Sequence, residues 1–337
     1  MTQATRQKVA GNIFINGKMQ EGTLTLGNKC EFSDGIDRNA ETGTVIPSFI
    51  NGHTHIGDSF ITQEPYGGIA EVVGPGGFKH RMLENARREE VVEGIRKSVK
   101  TMETTGTTSF IDFRESGLSG LELIYGVRSE RVAPIVLGRP RNDQEINEVL
   151  RIADGVGMSS ISDHDFGFLL NVRRAARTSG KIFSIHFSEN HREDIDLLKE
   201  LSPDLIVHAL ETTQHDLNEI REIGCPVAIT PHSNIFYGKR PDYSKFIRAG
   251  IEIMLGTDNC MVTAPDMFSE MELLYYFQRG ISRISPEQII ASATESPRKF
   301  LKAHLHDPEP RYIFFPGVLL TPYEIVTRGR YYSWQLI

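Results

Sequence analysis

The chain has 337 residues, 39% of them hydrophobic and 24% charged, with a formal net charge of −7. This length accommodates one large domain with a small appendage, and the negative balance argues against a nucleic-acid partner, which needs clustered Lys and Arg. Cys30, Cys225 and Cys260 are scattered and odd in number, no apolar run approaches the ~20 residues of a membrane helix, and the N-terminus lacks a long apolar h-region. A disulfide framework, a membrane partner and a signal peptide are therefore not expected, and a reducing cytoplasm is.

Residues 8–46 contain short β-like pieces broken by turn signals at Asn16-Gly17 and Ser33-Asp34-Gly35. Apolar runs then read as strands at 45–50, 109–113, 133–138, 155–160 (the weakest), 181–187, 204–209, 227–230 and 252–257. Helical patterns lie between most of them. Over 90–105, Val92, Ile95, Val99 and Met102 recur at spacings of three and four, and over 266–279 Met267, Met271 and Leu274 do the same, followed by Phe277 or Gln278. Ser285-Pro286-Glu287-Gln288 supplies a cap, a proline at the first helical position and a Gln three residues after the cap. Eight strand–helix units predict an α/β fold, a (β/α)8 TIM-like barrel over 47–305. The rival doubly wound sheet lacks a glycine-rich fingerprint after its first strand. Pieces at 312–315, 325–326 and 330–332 look β-like, so residues 1–46 plus 306–337 are expected to pair into a small β domain. Residues 64–78, rich in glycine, form either a lid or a surface loop.

The chemistry concentrates at strand ends. VIPSFINGHTHIGD, residues 45–58, ends a strand in His53-Thr54-His55. Residues two apart in a strand share a face, so both imidazoles project together, and imidazole is the commonest metal ligand. IFSIHFSEN puts His186 near the end of strand five with Glu189 three residues on. LIVHALE puts His208 near the end of strand six, and IMLGTDN puts Asp258 at the end of strand eight. Barrel active sites form at strand C-termini, so these side chains converge at one mouth. Three histidines and one Asp suit a single divalent ion, zinc or iron(II), that lowers the pKa of bound water from 15.7 toward ~7. Glu189 is then free for general acid–base work, and His208 for hydrogen bonding the hydroxide or polarising the attacked carbon's substituent.

In this combination the chain resembles the amidohydrolase superfamily, in the branch of cytosine, guanine, adenosine and S-adenosylhomocysteine deaminases and triazine chlorohydrolases. The likeness rests on PSFINGHTHIGD, IHFSEN, the strand-six histidine with the Pro-x-Ser-Asn motif at PHSN, and GIEIMLGTDN. It implies that His53, His55, His186 and Asp258 hold the metal. It further implies that Asp258 takes the proton from the attacking water, that Glu189 protonates the ring nitrogen and helps ammonia leave, and that His208 orients the hydroxide or the tetrahedral adduct. Strand four carries no lysine, which disfavours dihydroorotase-like and urease-like two-metal sites. The C-terminal HDPEPRYIFFPG departs from the family's usual pattern and leaves the small domain's boundary open.

Arg114 after strand two and Arg139 after strand three either bind a substrate carboxylate, phosphate or ribose at the mouth or make surface ion pairs. His232 in PHSN either touches substrate or packs at a strand end, and Tyr237 to Lys239 are candidates for the entrance. Phe60 and Phe113 either stack on a flat heterocycle or pack. The expected function is metal-dependent hydrolytic deamination of an amino-substituted N-heterocycle: a purine, pyrimidine, pterin or nucleoside. Hydrolysis of another C–N or C–Cl bond is the runner-up, and a non-catalytic barrel that binds a ligand is the rival from another class. The expected partner is a small molecule, and the resemblance implies a homodimer.

Overall fold

A computed structural model describes residues 7–27, 30–305 and 310–337. The outer limits drawn for the small β domain at residues 1 and 306 lie outside them.

The first four strands are β1 (Lys8–Ile15), β2 (Lys18–Thr25), β3 (Glu31–Ser33) and β4 (Glu41–Pro47). Asn16 and Gly17 join β1 to β2 with φ of 52° and 73°, the left-handed pair that a two-residue hairpin turn requires. β1 lies parallel to β4.

The expected strand over 45–50 is two strands. The chain leaves β4 at Pro47, changes sheet at Ser48 and enters β5 (Phe49–His55). The apolar run is continuous because it feeds two cores. Val45 faces a cluster inside the small sheet with Val9, Ile13, Leu24 and Phe314. Ile46, on the opposite face, packs on the barrel with Phe14, Ile313 and Phe315.

Next come β6 (Thr107–Arg114), β7 (Ala133–Gly138), β8 (Gly155–Met158), β9 (Ile182–Phe187), β10 (Leu205–His208), β11 (Val227–Ile229), β12 (Ile253–Leu255) and β13 (Asp258–Asn259). All pair in parallel in the order β12-β11-β10-β9-β8-β7-β6-β5-β13. β12 and β13 are two halves of the eighth strand. The first half pairs with β11 and the second with β5, which closes the barrel. Gly256 sits at the joint, where a Cβ would lie 2.6 Å from the His53 nitrogen; only glycine lets strand eight approach strand one so closely. Ile50, Ile111, Leu137, Ile182, Val207 and Met254 fill the interior below the mouth.

The helices follow the sequence signals with small shifts. Helix Arg88–Thr104 buries Val91, Ile95, Val99 and Met102, so Val91 rather than Val92 completes its apolar stripe. Asp266 caps helix Met267–Arg279, which buries Gln278. Ser285 and Gln288 form the reciprocal cap of helix Pro286–Ala293.

β14 (Tyr312–Pro316) returns antiparallel to β4, and β15 (Gln335–Leu336) pairs with β14. The terminal segments thus share one sheet, β15-β14-β4-β1-β2-β3. Two expected β pieces are corrected. Residues 325–326 lie in helix Pro322–Arg328, and 330–332 fall at a short 3-10 turn. The cap of Thr321 with Glu324 and Pro322 at the first helical position outweigh the strand preference of Ile325-Val326. Among the described residues no helix is long and apolar enough to cross a membrane.

Candidate active site

His53 and His55 project from the last turns of β5 on the face that looks into the barrel, while Thr54 between them points away and bonds Asp112 at 3.0 Å. His186 comes from β9, His208 from β10 and Asp258 from β13. His208 and Asp258 have φ of 71° and 62°. These left-handed conformations are unusual for non-glycine residues and gather at functional sites.

The structure brings these side chains together. Nε2 of His55 and Nε2 of His186 are 3.4 Å apart. Asp258 Oδ1 is 3.4 Å from His53 Nε2 and 3.6 Å from His55 Nε2. Candidate ligand atoms within 4.8 Å of one another also group His53, His186 and His208, and Glu189, His208 and Asp258.

Hydrogen bonds set the tautomers. His186 Nδ1 faces the Met158 carbonyl at 2.8 Å. His55 Nδ1 faces the Phe113 carbonyl at 3.1 Å and Glu115 Oε1 at 2.7 Å. Each Nδ1 therefore carries the proton and each Nε2 offers a lone pair inward. Burial lowers the pKa of His53, His186 and His55, the last to about 3, which favours the neutral imidazole that metal binding requires. Both ring nitrogens of His53 are buried without a hydrogen-bond partner. An orphaned imidazole facing two lone pairs and a carboxylate is what a divalent ion satisfies, so the donor set fits a metal.

His208 is held the other way round. Tyr243 donates to Asn234 Oδ1 at 2.7 Å, which turns the Asn234 amide nitrogen toward His208 Nδ1 at 3.5 Å. The Thr230 hydroxyl, which can donate as well, lies 3.3 Å from the same Nδ1; Nδ1 is then the acceptor and Nε2 carries the proton, 3.5 Å from Glu189 Oε1. Burial raises the Glu189 carboxyl, Asp258 adds to this, and His208 opposes it. Burial also pushes Asp258 up, but the surrounding imidazoles of His53, His208 and His55 together outweigh it and the carboxyl sits well below its usual range. Two carboxyl groups in one site are thus driven in opposite directions, the pattern that separates an acid from a base.

The cavity above these groups has a volume of about 150 Å³ and is lined in part by His186, Glu189, His208 and Asp258. Arg139 is on its wall with Ser159, Ser160 and Ser162, and its Nε donates to the Gly157 carbonyl at 3.1 Å. Arg114 is a correction: it does not face the mouth. It is 2% exposed, donates to Glu115 Oε2 at 2.6 Å and lies 3.6 Å from Asp112. It fits there because residue 57 is glycine, where a Cβ would fall about 2 Å from its guanidinium. His232 lies off the cavity wall, with Nδ1 2.6 Å from Glu270. Phe113 packs edge-on against His53, with ring centroids 4.4 Å apart, and fills the barrel under the site. Tyr237 keeps a buried hydroxyl without a partner, and Lys239 pairs with Glu211 at 2.7 Å.

Sequence reasoning missed several residues. Glu193 accepts from the Ser162 and Ser188 amides at 2.9 and 2.8 Å and so fixes the turn that carries Glu189. Ser233 donates to Asp258 Oδ2 at 2.5 Å. Asp58, directly after the His-x-His strand, takes Asn259 and the Met261 amide at 2.9 and 3.1 Å and braces the loop after β13. Lys79 and Glu115 form a buried pair beside His55. A carboxylate directly after a barrel strand was the available signal for Glu115, whereas nothing local marks Lys79.

A closed (β/α)8 barrel gathers imidazoles and two carboxyl groups at its C-terminal mouth, an arrangement with the donors to hold a divalent ion. The sequence signature of the Amidohydrolase family matches residues 44–305, and the chain belongs to that family; it is a hydrolase acting on carbon–nitrogen bonds. It is 35% identical over 233 residues to a "Putative aminohydrolase" of Archaeoglobus fulgidus, covering 69% of this chain and 68% of the relative. It is 28% identical over 298 residues to a 5-methylthioadenosine/S-adenosylhomocysteine deaminase of Thermococcus onnurineus, covering 72% and 66%. In fold it is similar to an adenosine deaminase from Xanthomonas campestris solved with bound zinc, with a TM-score of 0.74, 13% identity, and coverage of 95% of this chain and 88% of that one.

Proposed function

We propose that this hydrolase deaminates an amino-substituted N-heterocycle, a purine, pyrimidine, pterin or nucleoside, with His53, His55, His186 and Asp258 holding one zinc ion. The observation that carries the reading is the placement of Glu189 and Asp258, carboxyl groups with opposed pKa shifts, around one imidazole cluster. The deaminase names among its relatives and the zinc in the Xanthomonas structure support it. Nitrogen-rich donors with one carboxylate suit zinc, with iron(II) second.

A divalent ion held there supplies Lewis acidity and lowers the pKa of water toward ~7. Asp258, ionised before turnover, accepts the proton that the attacking water gives up at Oδ1. Glu189, whose carboxyl pKa burial raises, donates its proton to the ring nitrogen next to the attacked carbon, takes up the remaining water proton from the adduct hydroxyl and passes it to the departing amino group; the proton held by Asp258 then returns to Glu189. His208 donates through Nε2–H to the oxygen that becomes the product carbonyl. Water enters, one C–N bond breaks, one C=O bond forms and ammonia leaves.

The test is an ammonia-release screen of zinc- and iron-loaded protein against aminopurines, aminopyrimidines, nucleosides and pterins. One compound should release ammonia, with the rate falling at least about 100-fold in Glu189→Gln. Metal-loaded protein that releases no ammonia but opens a ring amide would replace deamination with the other C–N hydrolysis.

A further inference from the structure

Glu115 is a buried carboxylate with every oxygen engaged. Oε1 is 2.7 Å from both Lys79 Nζ and His55 Nδ1, and Oε2 accepts from Arg114 at 2.6 Å. With Asp112 beside Arg114, these cations and carboxylates are buried together, and removing one leaves a buried charge less compensated. Lys79 does not belong to the barrel. It lies in helix Phe78–Asn85, at the end of the glycine-rich segment, yet is 4% exposed. Ile69, Val73, Gly74 and Pro75 of that segment form one wall of the cavity. Across residues 64–86, Lys79 makes the only ion pair or side-chain hydrogen bond that reaches into the barrel among the described residues. Gly67 and Gly76, with φ of 115° and 70°, flank the short helix Ile69–Val72.

We infer that Lys79 and Glu115 are positioning residues that couple the segment over the cavity to the aim of the His55 imidazole. The inference rests on the reading that His55 holds metal. With the segment down, Lys79 neutralises Glu115, and Glu115 accepts the hydrogen bond from His55 Nδ1–H and turns Nε2 inward. With the segment lifted, Glu115 loses that cation and meets water, and the imidazole is left with the Phe113 carbonyl, 3.1 Å away, as its other partner. Such carboxylate–histidine support behind a metal ligand is worth about 10- to 100-fold in metal affinity. Coupling is reciprocal, so bound metal holds the segment closed.

The experiment compares wild type, Lys79→Met and Lys79→Arg by zinc affinity, in competition with a chromophoric chelator, and by hydrogen exchange of residues 64–86 with and without zinc. In wild type, zinc should slow exchange in this segment. Lys79→Met should weaken zinc by about tenfold or more and abolish the slowing, and Lys79→Arg should restore most of both. Equal zinc affinity in wild type and Lys79→Met would overturn the coupling and leave the deaminase reading standing, as would slowing that persists in Lys79→Met. If Lys79→Met does not fold, wild type alone decides, because a segment indifferent to zinc overturns the coupling. Wild type that binds neither zinc nor iron(II) would overturn both readings.

Discussion

At the scale of single residues, the site separates imidazoles by the hydrogen bond each makes behind its ring. His55 and His186 donate Nδ1–H backward to acceptors and face inward with lone pairs. His208 meets an amide nitrogen instead and faces inward with a proton. Asn234 is therefore expected to matter without touching metal. Asn234→Ala should lower kcat about tenfold or more while leaving metal content and KM nearly unchanged; equal losses in metal content would show that His208 is a ligand. The inward-facing groups were legible from sequence because strand periodicity and strand ends are local properties. Arg114 was not, because its burial depends on the space left by Gly57, more than fifty residues earlier. Lys79 was hidden for the same reason, since its partner Glu115 follows a different strand.

At the scale of elements, caps decided more than propensity did. The Ser285 cap was readable and correct in place. The equivalent signal at Thr321-Pro322-Tyr323-Glu324 makes a helix of a stretch whose Ile-Val pair looks like strand. Asp216 shows what such a cap contributes. It closes the capping box of helix Gln214–Ile223 with Thr213 and takes two bonds from Arg192 at 2.8 and 2.7 Å. The Arg192 bonds, ahead of the Thr213 ones, bring its pKa from 3.8 down to about 2. A depressed carboxyl stabilises the fold above its unfolded value and loses that contribution as pH falls through the folded one. Asp216→Asn should cost about 1–2 kcal/mol at neutral pH, after discounting for the half-exposed Arg192. The gap to wild type should close between about pH 4 and pH 2 in urea titrations. A gap that stays constant over that range would assign the effect to shape and not charge.

At the scale of the whole molecule, a metal held as proposed would be linked to the fold, because the ligand candidates come from strands one, five and eight. Chelation should lower the melting temperature, and returning zinc should restore it. At 100 times Kd the ion contributes about 2.7 kcal/mol, several degrees for a chain of this size. A melting temperature indifferent to zinc would mean that the cluster does not hold the ion in the folded state. The barrel itself was legible because eight apolar runs alternate with helical patterns. The place where the chain changes sheets was not, because residues 45–50 are equally apolar on either side of Ser48.

The joint at Gly256 gives the site a position in time as well as in space. Thr54 and Asp258 become neighbours only when the last strand meets the first, so the ligand set straddles the seam of the barrel. During synthesis, the histidines of the first strand wait through some two hundred residues for the carboxylate that completes them. A chain whose seam has not closed holds an incomplete set of candidate ligands for the proposed ion. Uptake of the proposed ion would then report on folding, since the pairing that completes the donor set is the same pairing that completes the barrel.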